Sequence, residues 1–277
     1  MVGKLHEQCS RIDNLDFEII VADDGSPDRQ YVEKNKSILS LQHVRYILRE
    51  KNSGRAIIRN FLAQEASKEW ILFIDGDLGL DKEDYIRKYT ESQGDIVVGG
   101  ITIAGNYPDN LRWRYEKACE EAHNVENRKQ KKLELHTNFM VRKIHLGNHP
   151  FDERFRKYGY EDVLLGKKLV EAGLTVNHID NPVVFDKYES NAHYLHKCEE
   201  ALQTLWQFRT ELNGYSRMLV LVEKLRRYHL LPVFNIIYLL IHKVLISRIT
   251  SNNPSFYTFN IYKMLYFAHL VHQNGNA

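Results

Sequence analysis

The sequence predicts an α/β fold with a largely parallel central sheet flanked by helices. Short β-branched runs recur along the chain and alternate with amphipathic segments, which is typical of repeated strand–helix units. With 277 residues and 43% hydrophobic content, the chain is long enough to bury one large domain with an appendage. The predicted strands are 17–22, 44–48, 70–75, 95–101 and 174–179.

Helical spacing of apolar residues predicts the elements between these strands. Residues 2–12 and 52–66 each place apolar side chains on one face, and Asn52 or Ser53 is positioned to cap the second helix. A further amphipathic helix is predicted within 155–173.

The character of the chain changes near residue 206, where Leu, Ile, Tyr, Lys and Arg become dense. We therefore expect a domain over 1–205 and a helical C-terminal extension over 206–277. The most apolar stretch, 230–246, is shorter than the roughly 20 apolar residues of a membrane span, and Pro232 and Lys243 interrupt it. We expect a helix that is buried or lies along a membrane surface, without crossing it.

Composition excludes some classes of partner. The 38 Lys and Arg residues nearly balance the 36 Asp and Glu residues, so the chain lacks the strong positive field of a dedicated nucleic-acid binder. Cys9, Cys119 and Cys198 are odd in number and widely spaced, which indicates reduced thiols in a cytoplasmic protein. The first twelve residues have no continuous apolar core of the signal-peptide type.

Acidic residues follow two of the predicted strands. Asp23 and Asp24 belong to "VADDGSPD", and Asp75 and Asp77 flank Gly76 in "WILFIDGD". Ligands of open α/β sheets bind beyond the carboxyl ends of strands, and a carboxylate pair there can hold a hard divalent cation with phosphate oxygens. A tight turn is the alternative for both motifs, because Asp-Gly is common in turns.

Basic and acidic residues also mark the starts of two predicted helices. Arg55 and Arg59 share a helix face near its N-terminus, which suits a diphosphate, although a solvated arginine face is the alternative. Glu161 and Asp162 open another helix, where carboxylates either complement the helix dipole or act as a general base.

Taken together, these segments resemble the family 2 glycosyltransferases of the GT-A, or nucleotide-diphospho-sugar transferase, fold over roughly residues 1–205. Members of that family usually begin with a strand of the type "VIIPxYN", and this chain begins at what looks like the following helix. The motifs that carry the resemblance are "FEIIVADDGSPD", "NSGRAIIRN", "WILFIDGD", "TNFMVRK" and "YGYEDVLLG".

The resemblance implies a role for each matching residue. Asp162 would be the catalytic base that deprotonates the acceptor hydroxyl, and the cofactor would be a divalent metal, Mn²⁺ or Mg²⁺. Many relatives place a metal-binding histidine where this chain has Phe185, and Asp186 or His193 is the candidate substitute. The other implied roles are donor-nucleotide binding for Asp23, Asp24, Arg55, Arg59 and Asp75, metal binding for Asp75 and Asp77, and acceptor binding for Glu161 and Asn138.

The implied function is an inverting, metal-dependent transfer from a nucleotide sugar, most simply a UDP-sugar, to a glycan or lipid-linked acceptor in surface polysaccharide or glycoconjugate synthesis. Aromatic residues within 103–136 either stack on sugar faces or pack that loop. The basic run 128–132 is either a solvated face or, with the basic C-terminal helices, a contact for anionic lipid at the inner face of the cytoplasmic membrane.

Two other functions stay open from the sequence. One is a degenerate transferase that binds a nucleotide or glycan without catalysis. The other is a nucleotidyltransferase, which also uses acidic pairs with a metal, although the order of Asp24, Asp77 and Asp162 fits glycosyl transfer better.

Overall fold

The computed structural model describes residues 1–275, which form an α/β protein with two compact units. Among the described residues, unit 1 comprises 1–102, 123–156 and 161–185, and unit 2 comprises 103–122, 157–160 and 186–275. The strands are β1 (Ile19–Asp23), β2 (Val44–Leu48), β3 (Trp70–Phe73), β4 (Ile96–Val98), β5 (Ile101–Ile103), β6 (Phe139–Arg142), β7 (Val176–His178) and β8 (Val183–Phe185). The α-helices are α1 (Val2–Ser10), α2 (Arg29–Asn35), α3 (Arg55–Glu65), α4 (Tyr85–Thr90), α5 (Leu111–Cys119), α6 (Val125–Lys129), α7 (Glu161–Glu171), α8 (Asn191–Gln207), α9 (Arg217–Arg227), α10 (Leu231–Ile249) and α11 (Phe256–Gly275).

All five predicted strands form, and β5, β6 and β8 are strands that were not predicted separately. β1 pairs in parallel with β2, while the main sheet has the order β3-β6-β4-β7 and β5 pairs with β8. β6 runs antiparallel to both β3 and β4, whereas β4 pairs in parallel with β7. In the described main sheet β3, β4 and β7 therefore share one direction, as predicted for a mostly parallel sheet, and β6 opposes them. The chain reaches β6 through the long segment 99–138, which lets it enter the sheet from the opposite end, whereas parallel strands are joined by direct crossovers.

The core of unit 1 lies against this main sheet. β4 is fully apolar and buried, as expected for a strand covered on both faces. Phe73 of β3 stacks on Phe139 of β6 with ring centroids 5.0 Å apart and meets the edge of Phe151 at 5.6 Å. This packing fixes the carboxyl end of β3, from which the acidic motif emerges.

Unit 2 is helical and has its own apolar cluster. Its buried members come from α5, α8, α10 and α11, and include Tyr194, Tyr238, Phe259 and Tyr262. The predicted boundary between residues 205 and 206 stays a prediction; the compact units divide the chain elsewhere, since α5 and α8 belong to unit 2.

α10 confirms the predicted helix over 230–246. Pro232 lies in its first turn, where a backbone N–H would have no partner within the helix, so proline costs no hydrogen bond. Only 11% of its most apolar 18-residue window is buried, so the alternative of a buried helix is wrong. Within the part of the chain that the structure describes, it is the one helix long and apolar enough to cross a membrane. None of the three cysteines forms a disulfide, as predicted.

Candidate active site

Two of the predicted motifs meet at the carboxyl end of β1. The Asp24 carboxylate accepts hydrogen bonds from the backbone N–H groups of Ser53 (2.8 Å) and Gly54 (3.1 Å) and from the Ser53 hydroxyl (2.8 Å). A Cβ atom on Gly25 would stand 2.6 Å from the backbone nitrogen of Asn52, so only glycine fits there. Asp24 therefore shapes the loop that leads into α3.

The predicted side-chain cap of α3 is wrong. Gly54 is the N-cap residue at φ 90°, and neither Asn52 nor Ser53 caps the helix with its side chain. The Asp24 carboxylate already holds the N–H groups that precede the helix, because the neighbouring loop brings it within hydrogen-bond distance.

Asp23 takes part in a turn. Its Oδ1 atom accepts from the backbone N–H of Ser26 at 2.7 Å, and its Oδ2 atom accepts from the Tyr46 hydroxyl at 3.2 Å. The turn interpretation of this motif is thus observed, and the nucleoside-binding roles of Asp23 and Asp24 stay predictions.

Arg55 and Arg59 join two acidic motifs that are far apart in the sequence. Arg55 donates from Nε to Glu161 (2.8 Å) and from Nη2 to Asp75 (3.0 Å). Arg59 donates from Nη1 to Glu161 (3.2 Å) and from Nη2 to Asp75 (2.8 Å). The two guanidinium groups, one turn apart on α3, thus bridge the end of β3 and the start of α7.

Burial distinguishes the members of this cluster. Arg59 is 5% exposed and Glu161 is 2% exposed, so the alternative of a solvated arginine face is wrong for Arg59. Burial raises the pKa of Asp75, but the positive charges of Arg59 and Arg55 outweigh burial and leave that pKa below its ordinary value. Burial and the neighbouring Asp162 raise the pKa of Glu161 against the opposing effect of the two arginines.

Asp162 lies beside a histidine that the sequence analysis did not single out. His136 Nδ1 stands 3.7 Å from Asp162 Oδ2, and His136 Nε2 stands 3.1 Å from Glu134 Oε2. The other oxygen of Asp162 accepts from the backbone N–H of Val163 at 2.7 Å. Asp162 is buried, whereas the His136 side chain is 47% exposed.

The charges of this second cluster favour an ionised Asp162. Burial lowers the pKa of His136, but its contacts with Asp162 and Glu134 prevail and raise that pKa well above its ordinary value. Burial raises the pKa of Asp162, and His136, Arg59 and Arg55 together lower it below its ordinary value. Adjacent carboxyl groups with pKa values shifted in opposite directions are typical of acid–base sites.

The DGD motif presents one available carboxylate. Asp77 is exposed, and within residues 1–275 its carboxylate makes no hydrogen bond or ion pair, while both oxygens of Asp75 accept from arginines. Asp77 therefore suits a hard cation that arrives with phosphate oxygens, since Mg²⁺ is often held by one carboxylate plus substrate phosphates. Arg55 and Arg59 occupy both oxygens of Asp75 with hydrogen bonds, and the metal-binding role of Asp75 and Asp77 stays a prediction.

Within residues 1–275, protein side chains alone do not complete a metal site. Among the described residues, no three His, Cys, Asp or Glu side chains are grouped so that they could hold a metal ion. Phe185 is buried in β8, and the predicted substitutes Asp186 and His193 belong to unit 2.

Asn138 is fully buried and all four of its side-chain hydrogen-bonding positions are used. Its amide nitrogen donates to the carbonyls of Gly100 (2.6 Å) and Asn181 (2.8 Å), and its amide oxygen accepts from the hydroxyls of Tyr85 and Tyr89 (both 2.5 Å). This arrangement leaves the side chain no free group to offer an acceptor, and the predicted acceptor role is an untested prediction.

Arg128, within the basic run predicted to be solvated or lipid-facing, instead binds backbone carbonyls. Its Nε donates to His123 (2.9 Å), its Nη1 to Val98 (2.9 Å), and its Nη2 to Gly99 (3.2 Å) and Ile179 (2.8 Å). The expectation of a solvated face is therefore wrong for Arg128, because these carbonyls lie where the loop meets the ends of β4 and β7.

The local sequence contains a pattern that indicates the position of His136, because apolar and polar residues alternate from Leu133 to His136. Burial alternates from Leu133 to Thr137, with Glu134 and His136 exposed between buried neighbours. Such alternation is typical of an extended segment, so Glu134 and His136 lie on one face. From the sequence alone, the same residues are the end of the long polar segment 103–136.

The sequence matches an established family. A sequence model described as Glycosyl transferase family 2 matches residues 1–155, more than half of the chain. The chain is 38% identical over 115 residues to a dolichol-phosphate mannosyltransferase of Pyrococcus furiosus, with 38% of this chain and 32% of that protein covered. It is 36% identical over 76 residues to an uncharacterized glycosyltransferase of Haemophilus influenzae, with 27% and 24% covered. The matches thus span about a third or less of these curated relatives.

Solved structures agree on the fold. The structure of S. aureus TarS 1-349 in complex with UDP matches with a TM-score of 0.50 at 15% identity, over 99% of this chain and 87% of that one. The same protein in complex with UDP-GlcNAc matches with a TM-score of 0.50 at 14% identity and the same coverage. At such low identity the likeness shows the fold alone, and it confirms the predicted GT-A architecture. The family match and the shared fold together establish that the chain belongs to glycosyl transferase family 2.

Proposed function

We propose that this protein is an inverting glycosyltransferase that transfers a sugar from a UDP-sugar to a hydroxyl group of a glycan or lipid-linked acceptor. The observation that carries the proposal is the pair Glu161 and Asp162 at the start of α7, joined through Arg55 and Arg59 to Asp75 of the DGD motif. The bound UDP and UDP-GlcNAc of the TarS structures support a nucleotide-sugar donor.

In this proposal Asp162 takes the proton of the acceptor hydroxyl. As that proton leaves, the acceptor oxygen forms its bond to the anomeric carbon on one face, and the bond to the diphosphate oxygen breaks on the other. The product is inverted at that carbon. An ionised carboxylate on a rigid helix start suits a general base, which typically contributes 10²–10⁴-fold to rate.

The remaining site residues would bind the donor. Asp23 and Asp24 would lie at the nucleoside, and Arg55 and Arg59 would stabilise the negative charge that grows on the departing diphosphate. Asp77 would hold the divalent metal, Mn²⁺ or Mg²⁺, which when bound supplies further positive charge at the diphosphate. Glu161, fixed by two arginines, would orient Asp162 and the acceptor.

Binding and turnover separate this function from its rivals. We expect calorimetric titration to show that Mn²⁺ strengthens the binding of UDP. With Mn²⁺ present, Asp77→Ala should bind UDP about tenfold or more weakly than the unchanged chain does. Asp81→Ala, an exposed aspartate nearby, is the matched control and should bind as the unchanged chain does. Asp162→Asn should bind UDP normally and lose at least 10²-fold in transfer or donor hydrolysis.

Three outcomes would contradict the proposal. Full turnover by Asp162→Asn would mean that another group is the base. Nucleotide binding without turnover of any donor sugar would favour the non-catalytic binding module. Release of pyrophosphate with incorporation of a nucleotide would favour a nucleotidyltransferase.

We also propose that α9 and α10 contact a membrane surface, which would place the enzyme at the inner face of the cytoplasmic membrane. Large apolar side chains are exposed along α10, among them Ile236, Leu240 and Val244. Residues 217–250 contain six Lys or Arg and one acidic residue, in a chain of net charge +2. An exposed apolar helix with basic neighbours is typical of proteins that lie on anionic bilayers.

A further inference from the structure

His136 bridges two carboxylates at the edge of the candidate active site. Its Nδ1 atom faces Asp162 at 3.7 Å, and its Nε2 atom faces Glu134 at 3.1 Å. Asp162 is buried, and His136 and Glu134 are about half exposed. The imidazole therefore lies between the buried carboxylate and solvent.

The backbone holds His136 firmly in this position. Its carbonyl oxygen accepts from Arg59 Nη2 at 3.1 Å, and the hydroxyl of the next residue, Thr137, accepts from the backbone N–H of Asp75 at 3.0 Å. The same arginine that binds Asp75 and Glu161 thus also binds the chain that carries His136.

We propose that His136 is a positioning residue, which as an imidazolium keeps the Asp162 carboxylate ionised and oriented for proton abstraction. This inference rests on the role of Asp162 proposed above. A cation at this distance favours the charged form of a carboxyl group, and a bond to the Val163 N–H fixes the other oxygen.

The charges around His136 come from several elements. The acidic groups facing it are Asp162 of α7 and Glu134 of its own segment, and both favour the imidazolium. The positive groups near this cluster are Arg55 and Arg59 of α3 and Lys131, and the nearby His123 adds positive charge only when protonated, because burial lowers its pKa. The two direct carboxylate contacts prevail over these more distant cations, and the pKa of His136 is raised.

The first test is the pH profile of kcat/KM on the acid side. In His136→Gln the pKa of Asp162 should rise, so the acid limb should move to higher pH by about one unit or more. Glu134→Gln is the matched control. It removes a negative charge but leaves the histidine protonated at acid pH, so its acid limb should stay or move slightly lower. An unmoved limb in His136→Gln, or equal shifts in both variants, would overturn the inference.

The second test needs no turnover and compares the unmodified chain with Asp162→Asn. NMR titration of the His136 ring should give a pKa well above the ordinary ~6.5. The pKa of His136 should fall in Asp162→Asn, because one of the two carboxylates that face the imidazole is then replaced by an uncharged amide. A pKa near 6.5 that Asp162→Asn does not change would overturn the inference even if His136→Gln failed to fold.

The two proposals fail in different ways. If Asp162→Asn keeps full transfer activity, the assignment of the base is wrong. If Asp162→Asn is inactive but the acid limb of His136→Gln does not move, the role of His136 alone is wrong.

Discussion

At the scale of single residues, Asn138 belongs to a motif that is recognisable in the sequence, but the role of this residue depends on the buried groups that its side chain contacts. The residue belongs to "TNFMVRK", and its φ of 58° lies in the left-handed region that asparagine tolerates. Its amide ties the hydroxyls of Tyr85 and Tyr89 to the carbonyls of Gly100 and Asn181. Such a buried polar network fixes four segments of unit 1 to one another.

We expect Asn138→Ala to lower the free energy of unfolding by about 3 kcal/mol, because it leaves buried hydroxyl and carbonyl groups without partners. Chemical denaturation followed by circular dichroism measures this loss. Gln42→Ala, an exposed amide in the same unit, should change stability by less than about 0.5 kcal/mol. Unchanged stability of Asn138→Ala together with a raised KM for the acceptor would instead support the acceptor role.

At the scale of elements, α10 is the helix whose surroundings the sequence described least well. Its length and apolar character were predicted, but whether other helices cover it depends on tertiary packing. In the structure Leu240 is 76% exposed, and the buried positions on this helix are few. An exposed apolar surface of this kind favours binding to a lipid surface or to another protein.

We expect the chain to bind vesicles that contain anionic lipid, and Ile236→Glu with Leu240→Glu to weaken that binding at least tenfold, since charged side chains would then enter the apolar layer. Vesicle co-sedimentation at low and high salt measures the effect. Ser247→Glu adds one charge to an exposed polar position of the same helix and should have a much smaller effect. Equal binding by the double variant, or a concentration-dependent dimer that it disrupts, would argue against the membrane contact.

At the scale of the whole molecule, titrating groups set how stability depends on pH. The pKa of Asp75 is lowered in the folded state, so its contribution is present above the unfolded value of about 3.9 and is lost as pH falls through the folded value. The pKa of His136 is raised, so its contribution is present below about 6.5 and is lost as pH rises through the folded value.

The midpoint of thermal unfolding should therefore decline both below about pH 4 and on the alkaline side of neutrality. Calorimetric scans across this range measure it. His136→Gln should lose the alkaline decline that the histidine causes, and His193→Gln, an exposed histidine of unit 2, should keep it. Midpoints of His136→Gln that run parallel to those of the unchanged chain at every pH would contradict this assignment.

The sequence predicted what depends on local pattern and missed what depends on contacts between distant segments. The five predicted strands and the helices at Val2, Arg55 and Glu161 follow from periodicity and from residues that start helices. The antiparallel β6 was missed because its direction depends on how a 40-residue connection crosses the sheet. No local pattern specifies such a path.

The site shows the same division. Sequence motifs identified Arg55, Arg59, Asp75 and Glu161 individually, and the structure brings them into one cluster. The sequence did not indicate that Arg55 and Arg59 would both donate to the Asp75 carboxylate. It also did not indicate that Asp77 would be the carboxylate left to bind a ligand. Which of two nearby aspartates is neutralised depends on side-chain directions at the ends of β3 and α3, which spacing alone does not determine.

The bonds of Arg128 to four backbone carbonyls have a consequence for the segment that leads to His136. A guanidinium stays protonated throughout the pH range in which proteins fold, so this attachment does not change with acidity. The imidazole eight residues further on does change its charge. At alkaline pH the loss of the His136 charge should therefore weaken the electric field at Asp162, while the backbone near Arg128 keeps its hydrogen bonds. A change of pH would then alter the rate of the reaction without changing how the loop is held.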